Sequence, residues 1–356
     1  MKSVLPITSR IGSRFLRTEL PVAETVEISP ENRRYRPPAI ALPDEIDRVS
    51  LFHEWAPDRE FIRQDILNHL TEGEDAHPAT TAVRIKDVIV ADGCVYRPMS
   101  NSIITKEKRR ALLSGPVDEI AEAQLCTTHC GSIYFGDWLM VDIPIELLAE
   151  QRGLRKLSFT NVTFGHEPDY RSHFGLGRPP HAKPIVHVDS LWLIKDNDRG
   201  MTTDRIARYQ TLRSRVRNPG AKGPRRLFVD RGNWGNQRGL SNRDEVVASL
   251  AARGFETIYP ESMTVDEMSA AFSCAEICVG IEGSAMCNAA MMMPPGGCIL
   301  AIVPEDRFLT YLKWFTDAFE MRYGYVVGRR PIPGAPDVIA DLSRLNATLD
   351  LVEGAL

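Results

Sequence analysis

The stretch from residue 226 to residue 304 alternates apolar strands with short amphipathic helices, and that alternation restricts the fold more than any other feature of the chain. "RRLFVDRG" ends an apolar run in charge, "NRDEVVASLAARG" has helical spacing and closes on Gly254, and "FETIYPE" reads as a strand. "TVDEMSAAFSCA" follows as a helix, with Thr264 as cap and Glu267 at the capping-box spacing. "EICVGI", "GSAMCNAAMM" and "GCILAIVP" continue as strand, small-residue helix and strand. Short connections between alternating elements require a parallel sheet covered on both faces, so this half is expected to be doubly wound α/β.

The first half is less regular. Residues 20 to 60 are rich in proline and charge and read as an extended lead-in. "TAVRIKDVIVADGCVYRP" predicts strands around a turn at Asp92-Gly93, and "EKRRALLSG" a short helix. Residues 134 to 154 have apolar side chains at helical spacing, Trp138, Leu139, Val141 and Ile145 among them, with Pro144 expected to kink or restart the helix. "KPIVHVDSLWLIKDND" supplies strand-like runs, and "DRIARYQTLRSRVRN" a helix before the break at "PGAKGP". The expected division is an arm and lead-in over 1–80, an N-terminal α/β domain over 81–218 and a Rossmann-like domain with a C-terminal tail over 219–356.

Composition narrows the class. A chain of 356 residues, 43% hydrophobic and 25% charged, is ordinary globular material for two domains. A formal charge of -4 argues against wholesale nucleic-acid binding. No uninterrupted apolar stretch reaches the roughly 18 residues of a membrane-spanning helix. The odd number of cysteines, 94, 126, 130, 274, 278, 287 and 298, predicts free core thiols in a reducing compartment, so the expected location is the cytoplasm. Lys2, Arg10, Arg14 and Arg17 precede the first acid, Glu19, without the apolar core of a secretory signal; an arm on the fold is expected, with peripheral membrane association through this basic segment left open.

In a doubly wound sheet, ligands sit beyond the carboxyl ends of the strands. Gly283, Ser284 and Ala285 mark such an end, where a helix start offers backbone N–H groups and small side chains allow close approach. Close helix-to-sheet packing asks for the same small residues, and the pattern alone leaves both readings open. Three methionines at 291 to 293, before Pro294-Pro295-Gly296, are expected to fill irregular core where that helix ends.

Residues 226 to 304 resemble the C-terminal half of family 61 glycosyltransferases, a group that includes bacterial capsular-polysaccharide enzymes and eukaryotic O-GlcNAc and xylosyl transferases. Asp230-Arg231, Arg238 and Asn242 look like the family's strand-end serine-arginine pair, second arginine and helix-opening asparagine. Gly280, Glu282, Gly283, Ser284, Ala285 and Asn288, then Met293-Pro294-Pro295-Gly296, are similar to its Gly-x-His-Gly-Ala-Gly-x-x-Asn signature and following turn. "YFGDWLMVDIP" resembles a segment nearer the N-terminus, with Asp142 at the family's aspartate. Two family histidines are replaced, by Asp137 and Glu282. The resemblance covers roughly 80 to 330 and implies a GT-B architecture, two Rossmann-like domains facing across a cleft. It implies a direct, inverting and metal-independent transfer of sugar from a nucleotide-sugar donor to a saccharide or lipid-linked saccharide acceptor in surface polysaccharide assembly, with no cofactor.

That chemistry needs a cation for the leaving diphosphate and a base for the acceptor hydroxyl. Arg231 and Arg238 are the candidates for the first, assisted by Gly283 and Ser284, with Asn288 as a binding residue facing the cleft or the neighbouring loop and Asn242 capping its helix and thereby ordering the arginine loop. Asp137, Asp142 and Glu282 are the candidates for the second, Asp137 because it holds the histidine position. Two alternatives stay open: a chain that binds nucleotide sugar without turnover, and a metal-dependent transferase using Asp196 and Asp198. His166, His173, His181 and His187 lack zinc spacing, and the absence of an early G-x-G-x-x-G disfavours a nicotinamide enzyme.

Overall fold

The computed structural model describes residues 20–50, 59–91, 93–97, 100–104, 117–158, 164–177, 185–196, 200–231 and 238–356. The basic segment before Glu19, the "EKRRALLSG" helix, Asp92, His181 and Asp198 lie outside them. Two compact units emerge, one of residues 1–32 and 77–209, the other of 33–76 and 210–356. Among the described residues no helix is long and apolar enough to cross a membrane.

The chain opens with β1 (Glu24–Ser29), then β2 (Asn32–Arg36), α1 (Arg59–Leu70) and β3 (Gly73–His77), with β2 and β3 paired in a small ladder. The first unit continues through β4 (Thr80–Ala91), β5 (Cys94–Arg97), β6 (Ser100–Ile103), β7 (Val117–Leu125), β8 (Arg155–Leu157) and β9 (Ile185–Lys195). Its seven-stranded sheet runs β6-β5-β4-β9-β7-β8, with β1 also pairing β4. Pairing is antiparallel from β6 to β9 and parallel only where β7 meets β8 and β9. The expectation of a Rossmann-like sheet here therefore needs correction. β4 turns directly into β5 by a tight hairpin, which joins antiparallel neighbours only, and no crossover helix intervenes.

Between β7 and β8 runs a helical segment of three pieces: a turn Phe135–Asp137, a π segment Trp138–Asp142 and α2 (Ile143–Gln151). Pro144 explains the irregularity, because it has no N–H to donate to the Met140 carbonyl one turn back. The Tyr209 hydroxyl donates to that carbonyl instead. The helices α3 (Glu167–Phe174) and α4 (Thr203–Val216) follow.

The second unit matches the alternation read from sequence. β10 (Arg226–Val229), α5 (Arg243–Ala252), β11 (Glu256–Ile258), α6 (Val265–Phe272), β12 (Ile277–Ile281), α7 (Met286–Met292), β13 (Cys298–Pro304), α8 (Tyr311–Ala318), β14 (Arg322–Gly328) and α9 (Leu342–Ala355) follow in order. The five strands are all parallel in the order β11-β10-β12-β13-β14. The order reverses between β10 and β12, so a crevice at their carboxyl ends is the place for a ligand. Thr264 forms the expected capping box with Glu267, and Gly254 ends α5 in the left-handed conformation. Met291, Met292 and Met293 are fully buried. Arg213 donates to the carbonyls of Ala290 and Met293, and Arg217 to that of Met292, closing the carboxyl end of α7 with positive charge.

Residues 33–76, expected to be lead-in, belong to this second unit. Ile40 bridges Gly324 beside β14, its N–H donating to Tyr323 O at 2.8 Å. Glu45 is completely buried and accepts from Val327 N and from Arg344 Nε, both at 2.6 Å. A Glu45→Ala variant leaves the buried Val327 N–H and Arg344 Nε without their acceptor and should lose about 3 kcal/mol of stability. Urea unfolding measures this; an unchanged midpoint would mean that the lead-in contributes nothing to the unit.

Candidate functional site

At the switch point, Asp230 and Arg231 follow β10, and Glu282 and Gly283 follow β12. Glu282 N still bonds Ile302 O at 2.9 Å, so the ladder with β13 holds its backbone while its side chain leaves the strand end. The carboxylate accepts from Arg238 Nη1 at 3.1 Å, and both side chains are largely buried. Gly283 has a φ of 153°, a conformation that L side chains rarely adopt. A Cβ there would lie 2.9 Å from Arg231 Nη1 and 3.8 Å from Arg238 Nη2. The absence of a side chain at 283 is thus what lets two guanidinium groups close over this backbone.

Burial is the main influence lowering the pKa of both arginines, and for Arg231 the neighbouring Arg238 acts in the same direction. Glu282 opposes it in both cases. Arg307, three residues past β13, adds further positive potential at both, and Arg330, past β14, adds it at Arg238. Arg330 is gripped by Asp306 through Nε at 3.0 and 3.1 Å, and its N–H by Glu305 at 2.7 Å. Sequence reasoning missed Arg307 and Arg330. The available signal was the same as for Arg231: a basic residue directly beyond an apolar parallel strand.

The remaining predicted donor residues divide. Ser284 is half-buried beside Gly283. Asn288 is buried, and its amide donates to Ala285 O at 3.0 Å within the first turn of α7. The N–H groups of Met286, Cys287 and Asn288 already bond back to Gly283, Ser284 and Ala285 at 3.0, 3.1 and 3.3 Å. The helix start therefore offers fewer vacant donors than expected, and the side-chain cations carry the positive charge. Asn242 stands at the start of α5 but its side chain makes no cap. Instead it pairs with the Ala340 backbone, Oδ1 accepting at 3.0 Å and Nδ2 donating at 2.8 Å, which anchors the chain that leads out of the arginine loop.

Asp137 and Asp142 belong to the first unit. Asp142, 1% exposed, ends the π segment and accepts from Thr128 N at 3.0 Å and Thr128 Oγ1 at 2.7 Å. A Cβ at Gly131 would run into its carboxyl group, so glycine is required there for the loop after β7 to pack on it. Asp137 is half-buried at the opposite end of the same segment. The metal-dependent alternative fares badly at Asp196. Its carboxylate is buried and faces Arg205 Nε at 3.4 Å and Arg208 Nη2 at 3.2 Å, with a bond from Thr80, so its charge is already balanced. His187 is buried between Asp87, at 2.7 Å, and Asp189, at 3.4 Å.

Burial pushes the Asp142 carboxyl well above the usual carboxylate range, against the Thr128 bonds and with the help of Glu146 and Asp137. The folded state then holds this proton more tightly than the unfolded chain. Its contribution is complete below the unfolded value near 4 and is lost as pH rises toward the folded one. Asp142→Asn keeps the acceptor for Thr128 and removes the titration. The urea midpoint of the wild type should fall relative to the variant as pH rises above about 4; parallel profiles would contradict this.

A search of the curated proteins finds no match to the chain. The model of the family described as Glycosyltransferase 61 matches residues 36–300, which takes in part of the lead-in, Asp137 and Asp142, and Arg231, Arg238 and Glu282, and stops before Arg307 and Arg330. With most of its length matched, the chain belongs to glycosyltransferase family 61 and is a glycosyltransferase.

Proposed function

We propose that the enzyme takes its sugar from a nucleotide-sugar donor whose diphosphate binds at the carboxyl ends of β10 and β12. The observation that carries this reading is the pair of partly dehydrated guanidiniums, Arg231 and Arg238, on the bare backbone of Gly283 at the switch point of a parallel sheet. Forked, permanently charged donors suit the non-bridging oxygens of a diphosphate, and in a dry site they stabilise the charge that develops as the bond to the sugar breaks. Arg307 extends the same cationic rim.

In the proposed reaction the acceptor hydroxyl oxygen attacks the anomeric carbon, and the bond to the diphosphate breaks with its electron pair moving to phosphate oxygen. The hydroxyl proton passes to a carboxylate. Of the carboxylates named for that role, Asp137 is half-buried rather than sealed, while Asp142 is sealed and holds the adjacent loop through Thr128 and Gly131. Attack opposite the leaving group inverts the anomeric centre. The reading keeps the implied metal-independent course, cytoplasmic location, GT-B architecture and saccharide or lipid-linked acceptor of surface polysaccharide assembly; the parallel second unit supports the architecture, whereas the mixed first sheet departs from a Rossmann pattern.

Arg231→Ala should weaken binding of nucleotide sugars and of inorganic pyrophosphate by about 30-fold, the loss of a charged hydrogen bond of roughly 2 kcal/mol. Calorimetric titration reads this directly, and an unchanged affinity would remove the residue from the site. Glu282→Gln should act the other way. It removes the carboxylate that competes with phosphate for Arg238, so pyrophosphate affinity should rise by roughly 3- to 10-fold. Weaker or equal binding by that variant would show that Glu282 does not oppose the anion.

A further inference from the structure

The edge of the second sheet carries an aromatic ring that the diphosphate reading leaves unused. Tyr259 follows β11 directly and keeps 39% of its surface exposed, one of the few large hydrophobic residues to do so. Its place relative to the arginines is fixed by register. Val229 is paired with Ile258, and Asp230 N donates to Ile258 O at 3.0 Å, so Tyr259 flanks Asp230 on the neighbouring strand, about 4.8 Å away. Arg231 is the next residue along. Glu261, two residues past Tyr259, acts electrostatically on Arg231, which puts this strand-end loop on the side of the sheet where the cations gather.

The ring is also held. Arg243, in the first turn of α5, donates from Nη2 to the Tyr259 hydroxyl at 2.7 Å and from Nε to Asp230 Oδ2 at 2.6 Å. Asp230 is itself buried. A buried carboxylate beside the proposed phosphate grip thus fixes a guanidinium, and the guanidinium fixes the polar tip of an exposed aromatic ring. The bond costs the side chain rotamer freedom while more than a third of its surface stays open, so the ring is fixed in advance for a flat partner. Bases stack on aromatic rings with little regard to their identity, and a ribose spans the gap from a phosphate at Arg231 to a ring one strand away.

We propose that Tyr259 is the nucleobase platform of this enzyme: a nucleoside diphosphate lies along the carboxyl ends of β10 and β11, its phosphates on Arg231 and its base against the Tyr259 ring, which the Asp230–Arg243 pair holds in place. The inference rests on the diphosphate reading of Arg231. It assigns the nucleoside end of the donor to the β11 side of the switch point, leaves the diphosphate with the cations between β10 and β12, and places the sugar beyond them, toward Glu282.

The test is titration calorimetry of the full chain with UDP, CDP, GDP, ADP and inorganic pyrophosphate. For the tightest of the four nucleotides, Tyr259→Ala and Tyr259→Leu should each lose about tenfold in affinity, with Tyr259→Phe, which keeps the ring but not the bond from Arg243, falling between these and the wild type, and pyrophosphate binding within twofold throughout. Unliganded melting temperatures of the variants show that they fold. If pyrophosphate binding depends on Arg231 but Tyr259→Ala and Tyr259→Leu bind nucleotides as the wild type does, the base platform is refuted and the diphosphate site stands. If both variants weaken pyrophosphate as much as nucleotide, Tyr259 acts through Arg243 on the phosphate grip, and stacking is refuted. If the wild type binds none of the five, or Arg231→Ala changes nothing, the diphosphate reading falls and takes this one with it.

Discussion

Two like charges are held at one point of the second unit, and the rest of that site follows from how they are kept there. Arg231 and Arg238 both come within 3.8 Å of a single position above Gly283. At such range guanidiniums repel by on the order of 3 kcal/mol with an effective dielectric constant near 20. Partial burial raises the cost of each charge further. The fold meets that cost with a carboxylate delivered by the adjacent strand, Glu282, and with a backbone that leaves room because residue 283 has no side chain. A parallel sheet is suited to this. Successive strands all end on the same side, so the residues after β10, β12, β13 and β14 gather without any loop having to travel.

The first unit solves a different problem, keeping a buried carboxyl group and an irregular helix in one place. Pro144 removes a helical bond, Tyr209 replaces it, and the wider turn that results ends on Asp142. That carboxyl then gathers Thr128 and, through the missing side chain of Gly131, the loop after β7. Asp137 sits at the head of the same irregular turn, with its neighbour Trp138 packed on Phe135 and Phe164. That packing fixes the segment from which the Asp137 side chain leaves.

What was legible in the sequence was local, and what was hidden was long-range. Thr264 with Glu267, Gly254 and the strand–helix alternation announce themselves through residues a few positions apart, and the second unit follows them element by element. Gly283 with Arg231 and Arg238 needed the family pattern, because the residues are about 50 positions apart and nothing in either segment points to the other. The lead-in was misplaced because its anchors, Gly324 for Ile40 and Arg344 for Glu45, stand nearly 300 residues away. Asp196 reads as a metal ligand in sequence because it directly follows an apolar run, yet Arg205 and Arg208 on the next helix, 9 and 12 residues on, face its carboxylate. Arg307 and Arg330 were passed over because a charge after a strand ordinarily means solvent; only the topology shows that four such strand ends meet.

The Glu282–Arg238 pair bears on why a carboxylate stands where the family resemblance expects histidine. A neutral imidazole would leave the two guanidiniums facing each other until an anion arrived. A carboxylate supplies an internal counter-charge, and in the proposed reaction the diphosphate displaces it from Arg238 or shares the guanidinium with it. Displacement frees Glu282 next to the bound ligand, beside the position that a donor sugar takes if its nucleotide lies toward β11. A carboxylate there accepts hydrogen bonds from sugar hydroxyls as readily as it accepted from Arg238. On the proposed reading one residue then serves twice, as counter-ion to Arg238 and as acceptor for a sugar hydroxyl of the donor.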